Sequence, residues 1–258
     1  MLAGVLGSLG GCGISGNFEP GTESVFQIFE PPSPEEAVAW SLDEYNADNR
    51  YRGITLLTEA SFGGEPLYLR LYRERLDDPD PGVRQAAARA LGVHGEPEDA
   101  VRVSELLEDD NRLARAEAAR ALQKLHNPAV IDDLIDRTVP ENEPFPEARA
   151  AAARALGQYE SPRVIQALIS ALQDRRLSVN RSAVISLETL TGQNFSLDGA
   201  AWLAWLDQTD DPFKAGRMYT YPGFQRPRHP VEWIPFVPQP PNVPAAAPVG
   251  LRSASADG

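Results

Sequence analysis

The chain has 258 residues and carries 24 Lys and Arg against 37 Asp and Glu, which gives a formal net charge of −13. Nucleic acid is therefore not an expected partner, because phosphate neutralisation needs clustered Lys and Arg and a net anion repels a polyanion. With one cysteine, Cys12, and three histidines, the sequence excludes an intrachain disulfide and a cysteine-rich zinc site.

The N-terminus combines a short apolar run, Leu2 to Leu9, with Gly10, Gly11 and Cys12. This pattern is typical of the end of a secretory signal, although no Lys or Arg precedes the run. Its last four residues resemble the lipobox of bacterial lipoproteins, and the resemblance implies lipid attachment at Cys12. We expect an exported protein anchored on the periplasmic or outer face of a bacterial envelope. The alternative is an incidental cysteine in a flexible N-terminus and a cytoplasmic protein.

Composition divides the chain into four segments. Residues 1–12 are the predicted signal, 13–34 a flexible linker, 35–208 a helical region, and 209–258 a tail rich in proline and aromatic residues. The tail is predicted to be partly disordered, above all at its small and polar end. No stretch reaches the roughly 18 to 20 apolar residues of a membrane-spanning helix.

The helical region is an internal repeat. Five similar segments each end in a leucine, here called the anchor leucine, and the spacings between these leucines are 34, 31, 34 and 31 residues. The anchor leucines are Leu57, Leu91, Leu122, Leu156 and Leu187. Four prolines follow them at Pro66, Pro97, Pro128 and Pro162. Proline is tolerated at a helix start, so each repeat is predicted to contain two helices joined by a tight turn.

Apolar and charged positions recur with the same period. The second helices carry an i, i+3, i+7 apolar stripe, and the first helices are rich in alanine, which lets neighbouring helices approach closely. Acidic turns, such as the one containing Asp109 and Asp110, precede an arginine at the start of three of the first helices. We expect these carboxylates to cap helices and to pair with arginines of the adjoining repeat.

The segment from Asp80 to Leu91 is similar to HEAT and HEAT-like repeats, including those of phycobilin lyases. The chain also resembles bacterial HEAT-repeat lipoproteins in the runs Arg50-Tyr51-Arg52-Gly53-Ile54 and Leu125-His126-Asn127-Pro128. The resemblance implies an all-α solenoid of about five helix pairs with terminal caps and an extended proline-rich tail. HEAT repeats serve mostly as binding scaffolds, and their fold does not fix an activity.

The outward positions of the predicted second helices form an acidic strip. Its candidate partner-binding residues are Glu98, Glu105, Asp132, Asp133 and Asp136. In the first repeat the charge of the strip changes from negative to positive, at the further candidates Arg70 and Arg73. Asp99 and Glu108 are also predicted to face outward on this strip. We expect a protein or peptide to bind along the concave face, and a basic partner would match the charge of the strip. The alternative is a solvated face without a partner.

Aromatic residues cluster at the C-terminal end. Trp202 and Trp205 are predicted to form the core of the terminal cap, which a solenoid needs to cover its last apolar face. In the tail, Tyr221, Phe224, Trp233 and Phe236 are candidate contacts to a partner or a membrane surface. The other interpretation is that the tail lies extended along the last repeats. Residues 245–258 are expected to be disordered.

The sequence contains no recognisable catalytic constellation, so we predict no catalytic residue, no metal site and no cofactor. His94 and His126 lie in equivalent turns of adjacent repeats, but two histidines are too few for a metal site. The favoured function is a non-catalytic protein-binding scaffold. Two alternatives stay open: a phycobilin-lyase-like enzyme or chaperone that attaches a bilin to a protein, and a purely structural envelope protein that acts through its tail.

Overall fold

The computed structural model describes residues 33–223, 227 and 244–251. Within these residues it contains eleven α-helices and no β-strand, which confirms the predicted all-α solenoid. The predicted signal, its Cys12, and the tail residues Phe224, Trp233 and Phe236 lie outside the described residues. None of the described helices combines the length and apolar character needed to cross a bilayer.

The helices alternate between two layers. The first helices of the five pairs are α2 (Ala47–Glu59), α4 (Pro81–His94), α6 (Arg112–Ala121), α8 (Pro146–Leu156) and α10 (Leu177–Thr191). Their second helices are α3 (Pro66–Arg75), α5 (Asp99–Glu105), α7 (Ile131–Asp136), α9 (Pro162–Ala171) and α11 (Gly199–Leu206). The additional helix α1 (Pro34–Ser41) packs on α2 at the N-terminal end.

The core lies between the two layers and between neighbouring repeats. Consecutive first helices pack against each other from α2 through α10, and the alanines that line them are buried. The predicted apolar stripe of the second helices is buried too, except at the half-buried Ile131. Small side chains allow close helix approach, so stacking supplies the core that no single repeat could form.

The proline prediction is only partly right. Pro66 and Pro162 open α3 and α9 as expected, and Pro128 opens a 3₁₀ turn, Pro128–Val130, ahead of α7. Pro97 lies two residues before α5, because the Asp99 carboxylate accepts the Glu96 N–H at 2.9 Å and holds a turn there.

Both ends of the solenoid are capped by side chains. Ser33 and Glu36 form a reciprocal capping box at the start of α1, which satisfies helix N–H groups that would otherwise have no partner. At the other end Trp202 is fully buried, and its ring meets Phe195 edge to face at a centroid distance of 4.9 Å. The Trp202 indole N–H donates to the Ser196 carbonyl at 3.1 Å.

The tail turns back across the ends of the first helices. Gly192 adopts a left-handed conformation, with a φ of 69°, where α10 ends. The Arg217 N–H then donates to the Thr189 carbonyl at 2.7 Å, and further along Tyr219 is buried. The tail therefore covers the last repeats from their first-helix side.

A second part of the tail is also held in place. Val249 donates its N–H to the Lys124 carbonyl and accepts the His126 N–H, each at 2.8 Å. Gly250 has a φ of +90° and lies so close to Pro97 that a Cβ atom would sit 2.6 Å from the proline ring. The expectation that the chain is disordered from residue 245 is therefore wrong up to residue 251, because backbone hydrogen bonds hold a segment with little apolar side-chain surface.

Candidate partner-binding surface

Most of the charge in the inter-repeat turns is used to join the repeats. An arginine in each of the first helices α2, α4, α6 and α8 donates to the carboxylate of the turn that precedes the next first helix, at 2.6 to 3.2 Å. The pairs are Arg50 with Asp78, Arg84 with Asp109, Arg115 with Glu143, and Arg149 with Asp174. This ladder confirms the predicted pairing between adjoining repeats.

Each ladder arginine also holds the turn that precedes its own helix. Arg115, for example, donates through Nη1 to the Asp109 carbonyl at 2.7 Å, and the Asp109 carboxylate accepts the Asn111 N–H at 2.8 Å. In the last repeat Asn180 occupies the arginine position and donates to three carbonyls, including that of Asp174 at 3.0 Å. The ladder of ion pairs ends there, because asparagine carries no charge.

These pairs shift the acidity of their carboxyl groups. Burial alone would raise the pKa of Asp78, but hydrogen bonds from Arg50 and from the Asp80 N–H outweigh it, and the net pKa is lowered. The pKa values of Asp109 and Asp174 are lowered in the same way. The ladder arginines are therefore structural cations and not an anion-binding site.

The acidic strip forms a groove between two successive second helices. Its volume is about 360 Å³, and its lining includes four predicted residues: Glu105 from α5, and Asp132, Asp133 and Asp136 from α7. Glu108 adds a fifth carboxylate. The structure thus brings together residues from two repeats that are separated by about one repeat length in sequence.

The groove carboxylates are only partly compensated. Glu105 accepts from Arg102 at 2.6 Å, and Asp132 pairs with Arg163 at 2.6 Å in a fully solvated contact. Asp136 contacts Arg137 and Asn142, two neighbours on its own side of the groove. Asp133 makes no ion pair with any other described residue. Exposed pairs of this kind bind weakly, so a cationic partner can compete for these carboxylates.

The remaining predicted residues of the strip lie elsewhere. Glu98 is exposed in the turn before α5, and Arg70 is exposed on α3, but neither lines the groove. Arg73 joins repeats instead, with Asp99 at 2.5 Å and Glu96 at 2.9 Å. The prediction that Asp99 faces outward is wrong, because its carboxylate is buried under this arginine.

The two histidines have structural partners. His94 Nε2 lies 2.7 Å from the Thr58 carbonyl, and His126 Nδ1 lies 3.2 Å from Gln158 Oε1. His126 also stacks on the Tyr159 ring at 5.0 Å, and burial lowers its pKa. Across the part of the chain that the structure describes, no three His, Cys, Asp or Glu side chains are placed to hold a metal ion.

A second groove, which was not predicted from the sequence, lies on the side of the first helices. It has a volume of about 300 Å³ and lies between α4 and α6. Arg89, Arg120 and Lys124 supply its cations, and Tyr221 of the tail lies at its edge with its ring 5.5 Å from Lys124 Nζ. One sequence feature indicates this groove: an arginine lies two residues before the anchor leucine in three successive repeats.

Comparison with known proteins identifies the repeats. The family profile described as HEAT repeats matches residues 35–123, 69–142, 100–188 and 140–212, which together span more than half of the chain. Comparison with curated protein sequences gives no match.

Solved structures with a similar fold include two engineered proteins from the Northeast Structural Genomics Consortium. They are 18% and 21% identical to this chain, cover 69% and 70% of it and 90% and 93% of their own lengths, and have TM-scores of 0.49. The complex of CpcE and CpcF of phycocyanin lyase from Nostoc sp. PCC7120 is 21% identical over 68% of this chain and 81% of its own, with a TM-score of 0.39. On the match to the repeat profile, this chain belongs to the HEAT-repeat family.

Proposed function

We propose that the protein is a non-catalytic scaffold that binds a basic protein or peptide in the groove between α5 and α7. The observation that carries the proposal is the convergence of five carboxylates from two repeats on one groove of about 360 Å³. Oppositely charged surfaces steer association and select partners, even where each exposed pair adds little affinity.

The contrast between the two sets of acidic residues supports this role. The ladder carboxylates, such as Asp78 and Asp174, have side chains that are only 1% and 2% exposed and are held by arginines of the stack. The groove carboxylates are solvated: the Asp132 and Glu105 side chains are 67% and 54% exposed. The groove therefore holds solvated carboxylates that the stack does not use, and a partner can reach them.

Site-specific crosslinking tests the proposal directly. A photoreactive amino acid is placed at Glu108, which lines the groove, or at Glu59, which is exposed at the end of α2 and serves as the matched control. After illumination in a bacterial envelope preparation, we expect mass spectrometry to find a basic protein attached at position 108 only. Equal labelling from both positions, or labelling from neither, would exclude the groove as the docking site.

We further propose that the scaffold is exported and held at a membrane by a lipid on Cys12, which lies outside the described residues. The support is the lipobox-like run that ends in this cysteine. We expect Cys12→Ala to move the protein from the membrane pellet to the supernatant. The thermal unfolding midpoint of the variant should equal that of the unmodified chain, which shows that the fold is unchanged. A Cys12→Ala protein that still sediments with membranes would refute lipid anchoring, and an unmodified chain found in the supernatant would favour the cytoplasmic alternative.

A further inference from the structure

Two grooves on the side of the first helices each include a glycine that follows an anchor leucine. The residue after the anchor leucine is Gly92 in the second repeat, Gln123 in the third and Gly157 in the fourth. Each contacts the next first helix: a Cβ atom at Gly92 would lie 2.9 Å from Ala121 Cα, and one at Gly157 would lie 2.8 Å from Ser186 Oγ. The two glycines therefore let neighbouring first helices approach closely, whereas Gln123 is buried and donates to the Ala151 carbonyl at 3.3 Å.

The tail of the chain forms one wall of the groove at Gly157. That groove has a volume of about 180 Å³ and is lined by Gly157 and Leu190 together with the tail residues Arg217, Met218 and Tyr219. The Arg217 N–H donates to the Thr189 carbonyl, and Tyr219 is 6% exposed. The molecule thus contains an example of how an extended peptide with an aromatic anchor lies against this face of the solenoid.

The groove at Gly92 is lined by different residues. Val93 is 46% exposed beside it, and the described part of the tail reaches it at Tyr221 and Pro222. Arg89 and Arg120 both contact one carboxylate, that of Glu117, at 3.0 Å, and their side chains are 44% and 48% exposed. Two guanidinium groups around one carboxylate leave an unbalanced positive charge.

Lys124 adds to this positive charge. Its side chain is half-buried beside Tyr221, and burial lowers its pKa because the ammonium group loses water. A carboxylate brought to this point would replace the lost solvation. The groove therefore offers an apolar floor with three cations around it, on a chain whose net charge is −13.

We propose that the groove between α4 and α6 binds an extended acidic segment of a partner protein, with an aromatic side chain on the floor at Gly92 and Val93. Flanking carboxylates of that segment face Arg89, Arg120 and Lys124. The volume of about 300 Å³ suits one anchoring side chain and not a large ligand. This surface shares no lining residue with the acidic groove, so it stands independently of the function proposed for that groove.

The test uses the full chain and a fluorescein-labelled peptide in which glutamates flank one tyrosine. Two control peptides replace the tyrosine by serine or the glutamates by lysines. We expect the glutamate–tyrosine peptide to bind at least about tenfold more tightly than either control, because both the anchor and the charges contribute. Equal binding of the serine peptide would overturn the anchored mode, and no binding up to millimolar concentration would overturn the proposal as a whole.

A matched pair of double variants locates the site. Arg120→Met with Lys124→Met removes two groove cations but keeps their apolar stems and leaves Glu117 paired with Arg89. The control, Arg181→Met with Lys214→Met, removes the same charge from exposed positions outside the groove. We expect about tenfold weaker peptide binding for the groove variant and unchanged binding for the control. Equal loss in both variants would reduce the effect to net charge and overturn the site.

Two further measurements keep the proposal testable if the groove variant does not fold. Hydrogen exchange of the unmodified chain with the peptide bound should show protection in residues 89–93 and 117–124 and none in 132–137. Vesicles of phosphatidylglycerol form the second arm. Binding to these vesicles that depends on Arg120 and Lys124, without peptide binding, would assign the groove to a membrane surface and overturn the protein partner.

Discussion

The individual residues of the ladder combine burial with charge, which makes their loss costly. The Glu143 side chain is completely buried and is held by Arg115, whose side chain is 15% exposed. We expect Arg115→Met to lower the free energy of unfolding by about 3–5 kcal/mol, because it leaves a buried carboxylate without its cation. Urea denaturation measures this loss.

The control for this substitution is Arg102→Met, which breaks solvated contacts with Asp77 and Glu105. It should cost no more than about 1 kcal/mol, since exposed ion pairs contribute little. Adding Glu143→Gln to Arg115→Met should restore a large part of the lost stability. If Arg115→Met and Arg102→Met destabilise the chain equally, the ladder does not hold the repeats together.

Residue-level chemistry was partly predictable from the sequence. The fixed distance from acidic turn to arginine indicated pairing between repeats, and the ladder follows it. The burial of Asp99 could not be predicted, because it depends on Arg73 reaching from the preceding repeat. Helical periodicity places a residue on a face but does not reveal a long side chain that arrives from another repeat.

At the scale of elements, the tail is fastened to the solenoid by one deeply buried aromatic side chain. Tyr219 is buried, yet its hydroxyl has no hydrogen-bond partner in the described part of the chain. We expect Tyr219→Ala to cost about 3–5 kcal/mol through lost burial and a cavity. Urea denaturation and hydrogen exchange of residues 216–221 measure the effect.

Tyr219→Phe is the matched control, because it keeps the ring and removes the unsatisfied hydroxyl. Such a group costs about 1–3 kcal/mol when buried, so this variant should be neutral or more stable than the original chain. A Tyr219→Phe chain as unstable as Tyr219→Ala would mean that the hydroxyl has a partner and that ring burial is not what holds the tail.

Helix existence was more predictable than helix extent. The apolar stripe and the repeated prolines indicated two helices in every repeat, and all five pairs are present in the described residues. The sequence did not predict that α5 and α7 would be short and joined to 3₁₀ turns, Leu106–Glu108 and Pro128–Val130. Local periodicity cannot separate an α-helical turn from a 3₁₀ turn, since side chains three residues apart share a face in both.

For the whole molecule, the ladder sets how stability depends on pH. Asp78, Asp109 and Asp174 all have pKa values lowered below the ordinary 3.8. The unfolded chain therefore binds more protons than the folded one in acid, and the ladder's contribution is complete above about pH 4 to 5 and is lost as the pH falls through the lowered folded-state values. The urea midpoint should be steady from pH 7 to 5 and should drop below about pH 4.

The matched variant replaces these three aspartates by asparagine. It should be less stable near neutral pH, and its urea midpoint should depend much less on acid, because the titrating groups have been removed. An equally steep acid dependence in this variant would show that other carboxyl groups control acid unfolding and would contradict the role given to the ladder.

The solenoid architecture was predictable as a whole because stacking imposes the same requirements on every repeat. The two candidate surfaces were less predictable, since each arises where neighbouring repeats differ. The acidic groove needs acidic residues on both α5 and α7, and the basic groove needs Lys124 where the preceding repeat has Val93. Residues that differ between repeats form one surface only when the fold places the repeats side by side.

The central claim is that the groove between α5 and α7 binds a basic partner. Its most direct test is calorimetric titration of the full chain with a lysine- and arginine-rich peptide, comparing the original protein with a groove variant that carries Glu105→Gln, Asp132→Asn and Asp133→Asn. A control variant neutralises the exposed Glu44, Glu59 and Asp207. We predict about tenfold weaker binding for the groove variant, with a smaller salt dependence, and unchanged binding for the control. Equal affinities for the groove variant and the original protein would contradict the account.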